Sequence, residues 1–221
     1  MPSRTPGCVG DETPSRLRAP QLIRKVLREE PSAQIIATGP LSNPAAALPY
    51  SASRLTSMGG AVKVGGNLCC GTPPEFDGTQ EFNYWLDPAA ARAVLTQSRG
   101  TVRMVPLDAA NEVPITSAFL DRLRADHTTP AADTVLQIVT HPEVQPLIAD
   151  NLLYWWDPLA AMSAVRPGHV QFTSGGIDVV VDGPSAGRTF LSPFGRLLWY
   201  GTTADTAAFE QRFLDTLNGR N

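Results

Sequence analysis

The stretch EFNYWLDP at residues 81–88 decides the fold, because an extended segment there runs into a helix. In an extended chain, Glu81 and Asn83 stand two residues apart and point to the same side. Asp87 is a good helix N-cap and Pro88 suits the first turn. A polar pair just before a capped helix lies where α/β proteins hold ligands, and both side chains can hydrogen-bond sugar hydroxyls. The same residues also fit a solvated loop-to-helix junction, so this stretch leaves both interpretations open.

Composition indicates a globular chain with one sizeable core, since 43% of the 221 residues are apolar and 18% are charged. The net charge of −3 gives no basic footprint for nucleic acid or for a membrane surface. The sequence has no transmembrane-length apolar run and no apolar core of a secretory signal. Cys8, Cys69 and Cys70 form neither a disulfide framework nor a zinc motif. We therefore expect free thiols, a cytoplasmic location, and neither a nucleic-acid nor a membrane partner.

The order of the sequence patterns predicts an α/β protein whose sheet is mostly parallel, with a more antiparallel C-terminal part. Residues 1–15 are predicted to be irregular, and residues 16–221 to form one domain. A long loop over 64–80, of a length that is usually functional or disordered, precedes the opening stretch. Helices are predicted over 16–30, 41–48, 88–95, 114–125, 131–148 with a break near Pro142 and Pro146, and 204–217; strands over 34–38, which is expected to be buried, 54–58, 101–106, 177–181 and 196–200; and a strand-end loop over 107–111.

Six short motifs, taken in order, resemble the inosine-uridine preferring nucleoside hydrolases. The resemblance covers roughly residues 20 to 217. It implies a Rossmann-like fold, with a mostly parallel sheet flanked by helices, and hydrolysis of the N-glycosidic bond of ribonucleosides. The motifs are ATGPLSN at 37–43, MGGAV at 58–62, GN at 66–67, EFN with DPAAA between 81 and 91, VPLD at 105–108 and WDPLAA at 156–161.

The resemblance also implies roles for individual residues, with a ribonucleoside or another ribosyl compound as the ligand. The Thr38 backbone carbonyl and the Asp157 carboxylate would bind calcium, which prefers hard oxygen donors. Each position also has an ordinary structural interpretation, such as a loop turn for Asn67, core packing for Met58 and a helix N-cap for Asp157. The substrate-binding residues implied by the resemblance are Met58, Asn67, Glu81, Asn83, Trp156 and Asp157.

The sequence departs from the family at its N-terminal part. The family begins with a strand followed by an Asp-x-Asp-x-x-x-Asp-Asp motif, whose aspartates supply most calcium ligands and the general base. This sequence has no such motif, and the early pair Asp11-Glu12 lacks its spacing. Thr38 and Asp157 alone fall short of the roughly 6–8 oxygen ligands of calcium. We therefore expect the sheet to lack the family's N-terminal strand, no residue in the role of the catalytic base, and doubtful calcium binding.

Three functions remain open at this point. The first is a diverged family member with impaired or lost catalysis that still binds a ribosyl ligand. The second is an active ribonucleoside hydrolase whose site is rebuilt or completed by another chain. The third is a non-catalytic interaction or structural protein that pairs through an exposed sheet edge, a homo-oligomer included.

Overall fold

The computed structural model describes residues 14–49, 51–68 and 76–220, without the side chains of residues 51–53. Cys8, Cys69, Cys70 and the pair Asp11-Glu12 lie outside the described residues, as does nearly all of the predicted irregular segment. The strands are β1 Gln34–Ala37, β2 Ser51–Met58, β3 Arg99–Val105, β4 Val170–Val179, β5 Thr189–Leu191 and β6 Arg196–Ala204. The helices are α1 Ala19–Glu29, α2 Ser42–Ala47, α3 Phe82–Leu86, α4 Pro88–Gln97, α5 Leu107–Ala110, α6 Ser117–Ala125, α7 Pro130–Val139, α8 Gln145–Ala149, α9 Trp156–Val165 and α10 Thr206–Leu217.

The strands of the described residues form one mixed sheet in the order β1-β2-β3-β6-β4-β5. Strands β1, β2, β3 and β6 run parallel to one another, whereas β4 pairs antiparallel with both β6 and β5. The mostly parallel α/β sheet with helices on its faces is therefore confirmed. Because the carboxyl ends of parallel strands share one edge of a sheet, the residues that follow β1 and β2 lie near one another.

Strand β1 is the exception to the predicted burial, because it lies at the edge of the sheet and not inside it. Its residues alternate between exposed and half-buried, and Ile36 is 43% exposed. Within the described residues β2 is its one strand partner, and no strand precedes α1. A short apolar run such as QIIA looks the same in a central strand and an edge strand, which explains why the prediction of a buried strand was wrong.

Two further predictions are corrected by local hydrogen bonding. The segment 107–111 forms the short helix α5 and not a loop, because the Asn111 amide donates to the Leu107 carbonyl oxygen. Helix α6 begins at Ser117 and not near Pro114, because the Thr116 hydroxyl caps it by accepting from the Phe119 amide. The predicted break between α7 and α8 is confirmed. None of the helices formed by the described residues is long and apolar enough to cross a membrane.

Two hydrophobic cores hold the layers together. One of them includes Val105, Phe119, Leu159 and Phe209, which come from β3 and three helices. The other is built around Tyr84 and includes residues of β2, β3 and α4. A buried hydroxyl then ties the far side of the sheet to the loop after β2, because Thr189 Oγ1 accepts from the Ala61 amide at 2.8 Å and donates to the Ala61 carbonyl oxygen at 2.7 Å.

We expect Thr189→Val to lower the free energy of unfolding by about 2–4 kcal/mol, because it leaves a buried amide and a buried carbonyl without partners. Thr56→Val is the matched control, since the Thr56 hydroxyl is buried with no hydrogen-bond partner. The control should be neutral or slightly stabilising. Urea denaturation of both variants measures the difference, and equal losses in the two would contradict the assignment.

Candidate active site

A cleft of about 640 Å³ lies at the edge where β1 and β2 end. It brings together all seven residues to which the resemblance gave a role, although they are spread from position 38 to position 157. This juxtaposition gives their location, and their roles stay predictions. The residues of the predicted set that line the cleft are Thr38, Met58, Asn67, Glu81, Asn83, Trp156 and Asp157, and its other lining residues are Phe82, Asn111, Asn151, Leu152 and Tyr154.

The conformation around Glu81 differs from the predicted extended pair. Residues 82–86 are helical, so Asn83 lies in the first turn of α3 and Glu81 is the N-cap of that helix. Glu81 Oε1 accepts from the Asn83 amide at 2.9 Å. Glu81 Oε2 accepts from the amides of Gly60 at 3.0 Å and Tyr84 at 3.1 Å. The first amides of a helix need acceptors, and this need turns the carboxylate towards the backbone.

The environment of the Glu81 carboxylate opposes its charge. Only 1% of the residue is exposed, and this burial raises the pKa of Glu81. The three amide donors act in the opposite direction, and the nearby Asp157 carboxylate raises the pKa further. Two carboxyl groups therefore meet in the cleft, one buried and held by the backbone and one open.

Asn83 and Asn67 each have one end of the side-chain amide engaged by the protein. Asn83 Nδ2 lies 3.3 Å from Met58 Sδ and 3.4 Å from the Met58 carbonyl oxygen. Asn67 Oδ1 accepts from the Phe82 amide at 2.8 Å. Asn83 Oδ1 and Asn67 Nδ2 have no partner among the described residues, so one acceptor and one donor remain for a ligand. Met58 is almost fully buried and belongs to the hydrophobic core as well as to the cleft wall.

Asp157 presents the open carboxylate of the cleft. Helix α9 begins at Trp156 and its N-cap is Trp155, so Asp157 does not cap the helix as the Asp-Pro pattern would suggest. Asp87 does cap α4, by accepting from the Ala90 amide at 3.0 Å. Within the described part of the chain, the Asp157 carboxylate has no hydrogen-bond donor. The surrounding protein partly removes water from it, and this desolvation raises the pKa of Asp157.

An aromatic wall closes one side of the cleft. The rings of Tyr154 and Trp156 are stacked, with centroids 5.3 Å apart and an interplanar angle of 28°. Trp156 Nε1 donates to Asn111 Oδ1 at 2.9 Å, which fixes the edge of the indole ring. Sequence reasoning missed Tyr154, Asn111 and Asn151 as site residues. Tyr154 lies two residues before the WDPLAA motif, whereas the two asparagines carried no sequence signal.

Two further acidic residues bind loops and do not line the cleft. The Asp108 carboxylate accepts from the amides of Val62 and Lys63, each at 2.8 Å. Asp77 accepts from the Thr79 amide and from the hydroxyls of Thr79 and Ser185. Both carboxylates are thus engaged in holding the loops on either side of the segment at 69–75.

The donor set in the described part of the chain does not fit calcium. No group of three or more His, Cys, Asp or Glu side chains within it could hold a metal ion. Three backbone amides occupy the Glu81 carboxylate, so Asp157 is the one open carboxylate of the described cleft, beside neutral oxygens such as the Thr38 carbonyl and Asn83 Oδ1. Calcium prefers about 6–8 oxygen ligands, and one open carboxylate with these neutral oxygens falls short of that set.

Comparison with known proteins decides the family. A model of the inosine-uridine preferring nucleoside hydrolases matches residues 5–212, which is most of the chain. The chain belongs to this family. No curated protein matches it.

Solved nucleoside hydrolase structures share its fold. The inosine-uridine preferring nucleoside hydrolase from Bacillus anthracis is 25% identical, with a TM-score of 0.79 over 92% of this chain and 66% of that one. A plant nucleoside hydrolase is 21% identical, with a TM-score of 0.81 over 97% of this chain and 71% of that one. A purine-preferring ribonucleoside hydrolase from Gardnerella vaginalis is 23% identical, with a TM-score of 0.76 over 98% of this chain and 69% of that one. The present chain therefore spans about two thirds of the length of these nucleoside hydrolases.

We expect Asp157→Asn to stabilise this nucleoside hydrolase family member at neutral pH, because it removes a partly desolvated charge that no described donor satisfies. The folded protein holds the Asp157 proton more tightly than the unfolded chain, whose carboxyl has a pKa near 3.8. Wild-type stability contributed by this group is therefore present below pH 3.8 and is lost as the pH rises through the raised pKa. The gain in the variant should accordingly grow as the pH rises above about 4 and level off once the pH exceeds the raised pKa.

Asp108→Asn is the matched control for this substitution. Its amide nitrogen would face a backbone amide, so the variant should lose about 1–3 kcal/mol of unfolding free energy. Urea denaturation across the pH range measures both variants. Destabilisation of the Asp157 variant at neutral pH would show that its carboxylate has a partner and is not open to a ligand.

Proposed function

We propose that the cleft binds a ribonucleoside and that hydrolysis of its N-glycosidic bond is weak or absent. The observation that carries this proposal is the meeting of the seven family positions in one cleft, with free polar groups left on three of them. The free groups are the Asp157 carboxylate, Asn83 Oδ1 and Asn67 Nδ2. The other ends of the two side-chain amides are held by the protein, that of Asn83 by Met58 and that of Asn67 by the Phe82 amide.

The cleft offers different chemistry to the two halves of a nucleoside. Ribose hydroxyls would donate to the Asp157 carboxylate and to Asn83 Oδ1, since carboxylates and amide oxygens accept such bonds. Met58 gives an apolar surface beside them. The planar base would lie against the aromatic wall of Tyr154 and Trp156, because aromatic faces suit flat heterocycles.

We propose weak hydrolysis because neither carboxylate of the described cleft is available as the general base. Hydrolysis needs a water that is activated by a base or by a metal ion, and a positioned base contributes roughly 10²- to 10⁴-fold in rate. Glu81 is a poor candidate for the base because three amide donors occupy its carboxylate. Asp157 is the one open carboxylate of the described cleft, and it would accept hydrogen bonds from the ribose hydroxyls.

The active enzyme is the second candidate, and its site would be completed by another chain. The names of the solved relatives, which are hydrolases, support it. The exposed edge of β1 also favours association, because an edge strand offers unpaired backbone groups to a partner. We also propose that the chain forms a homo-oligomer and that it is cytoplasmic.

We expect isothermal titration to show inosine binding to the chelator-treated protein. Asn83→Ala should weaken this binding roughly tenfold, because a ribose hydroxyl loses its acceptor. Asn43→Ala is the matched control, since Asn43 lies on α2 and lines a separate groove between α1 and β1. The control should bind inosine as the unchanged protein does.

A reducing-sugar assay for released ribose, with and without added calcium, tests the catalytic half of the proposal. We expect little ribose in either condition and weak calcium binding by titration. Tight one-to-one calcium binding together with calcium-dependent ribose release would overturn the proposed loss of hydrolysis. Absence of any inosine binding would overturn the proposed ligand.

A further inference from the structure

Asn111 is held in one orientation by the aromatic wall. The indole Nε1–H of Trp156 is a donor only, so the Asn111 atom 2.9 Å away must be the amide oxygen. The other terminal atom of the Asn111 side chain is therefore the amide nitrogen, Nδ2. It carries two N–H donors and has no protein acceptor among the described residues.

The backbone around Asn111 is fixed independently of any ligand. Asn111 is the C-cap of α5, and its own amide donates to the Leu107 carbonyl oxygen. The first turn of α5 is tied to the neighbouring loop by Asp108, which accepts from the amides of Val62 and Lys63. The free donor of Asn111 is thus presented by a rigid element, in the same cleft as the Tyr154–Trp156 stack.

We infer that Asn111 is a specificity-determining residue, which donates from Nδ2 to acceptors on the edge of the base and favours 6-oxopurine over 6-aminopurine nucleosides. This inference rests on the proposed function, because it requires a base against the aromatic wall. A 6-oxopurine presents two adjacent acceptors, O6 and N7, whereas adenine presents N7 beside an amino donor. The amino group of adenine would face an N–H of Asn111 without an acceptor, so N7 alone would remain to accept from Nδ2.

Substitutions at position 111 separate direct reading of the base from positioning of the ring. Asn111→Asp keeps an oxygen acceptor for Trp156 and replaces the free donor by an acceptor. Asn111→Ala removes both groups. Asn151→Asp is the charge control, since it adds the same charge to the same cleft without a bond to Trp156, and Asn151 already has the positive φ of 55° that Asp tolerates.

The experiment measures the ratio of inosine to adenosine affinity by isothermal titration of the chelator-treated 221-residue chain. The unchanged protein should favour inosine by roughly tenfold. Asn111→Asp should reverse the preference, Asn111→Ala should bring the ratio close to one, and Asn151→Asp should change both affinities by the same factor. The Trp156 indole N–H resonance, assigned with Trp156→Phe, should keep its hydrogen-bonded shift in Asn111→Asp and lose it in Asn111→Ala.

Each other result counts against the inference. A ratio in Asn111→Asp equal to that of the unchanged protein overturns it and leaves nucleoside binding intact. Equal weakening of both nucleosides in Asn111→Ala, with an unchanged ratio, reduces Asn111 to a positioning residue for Trp156. Failure of the unchanged protein to bind either nucleoside overturns the proposed function itself, and the inference fails with it.

Discussion

The geometry of the cleft depends on one buried carboxylate, that of Glu81. By accepting from three backbone amides, it joins the loop after β2 to the first turn of α3. This junction sets the position of Asn83, which lies within that turn and contacts Met58 at the end of β2. A buried charge is costly unless donors satisfy it, so the three amides are the condition under which this side chain remains in the interior. The residues that line this part of the cleft therefore also hold its backbone together.

The two carboxylates of the cleft illustrate how environment assigns different tasks to similar groups. Glu81 is buried and its hydrogen-bonding capacity is used by the backbone, so it acts mainly as a structural anchor. Asp157 is open and lacks donors in the described part of the chain, and partial desolvation raises the pKa of its carboxyl. Proteins commonly accept such unsatisfied charges where a function needs them. The contrast supports a binding role for the cleft more directly than either residue does alone.

Much of the fold could be predicted from sequence, because apolar periodicity and helix caps are local signals. The Asp87-Pro88 start of α4 and the break between α7 and α8 are examples. The edge position of β1 could not be predicted, since it depends on which strands lie beside it. The residues that meet in the cleft were found by order of motifs, whereas Asn111 became visible only through its bond to Trp156. Pairings across distant parts of the chain leave no periodic trace in the sequence.

The strand order has a consequence for how the protein is made. Strand β6 lies between β3 and β4, and its Trp199 pairs with Arg103 of β3. All the cleft residues are synthesised before position 158, but the sheet that supports them is incomplete until β6 has left the ribosome. Until then β3 has an open edge, which exposes the nascent chain to wrong strand pairing and makes folding depend on a late, long-range contact. The residues of the cleft are therefore synthesised before the strand that completes their supporting sheet, and the cleft becomes stable only after β6 has emerged.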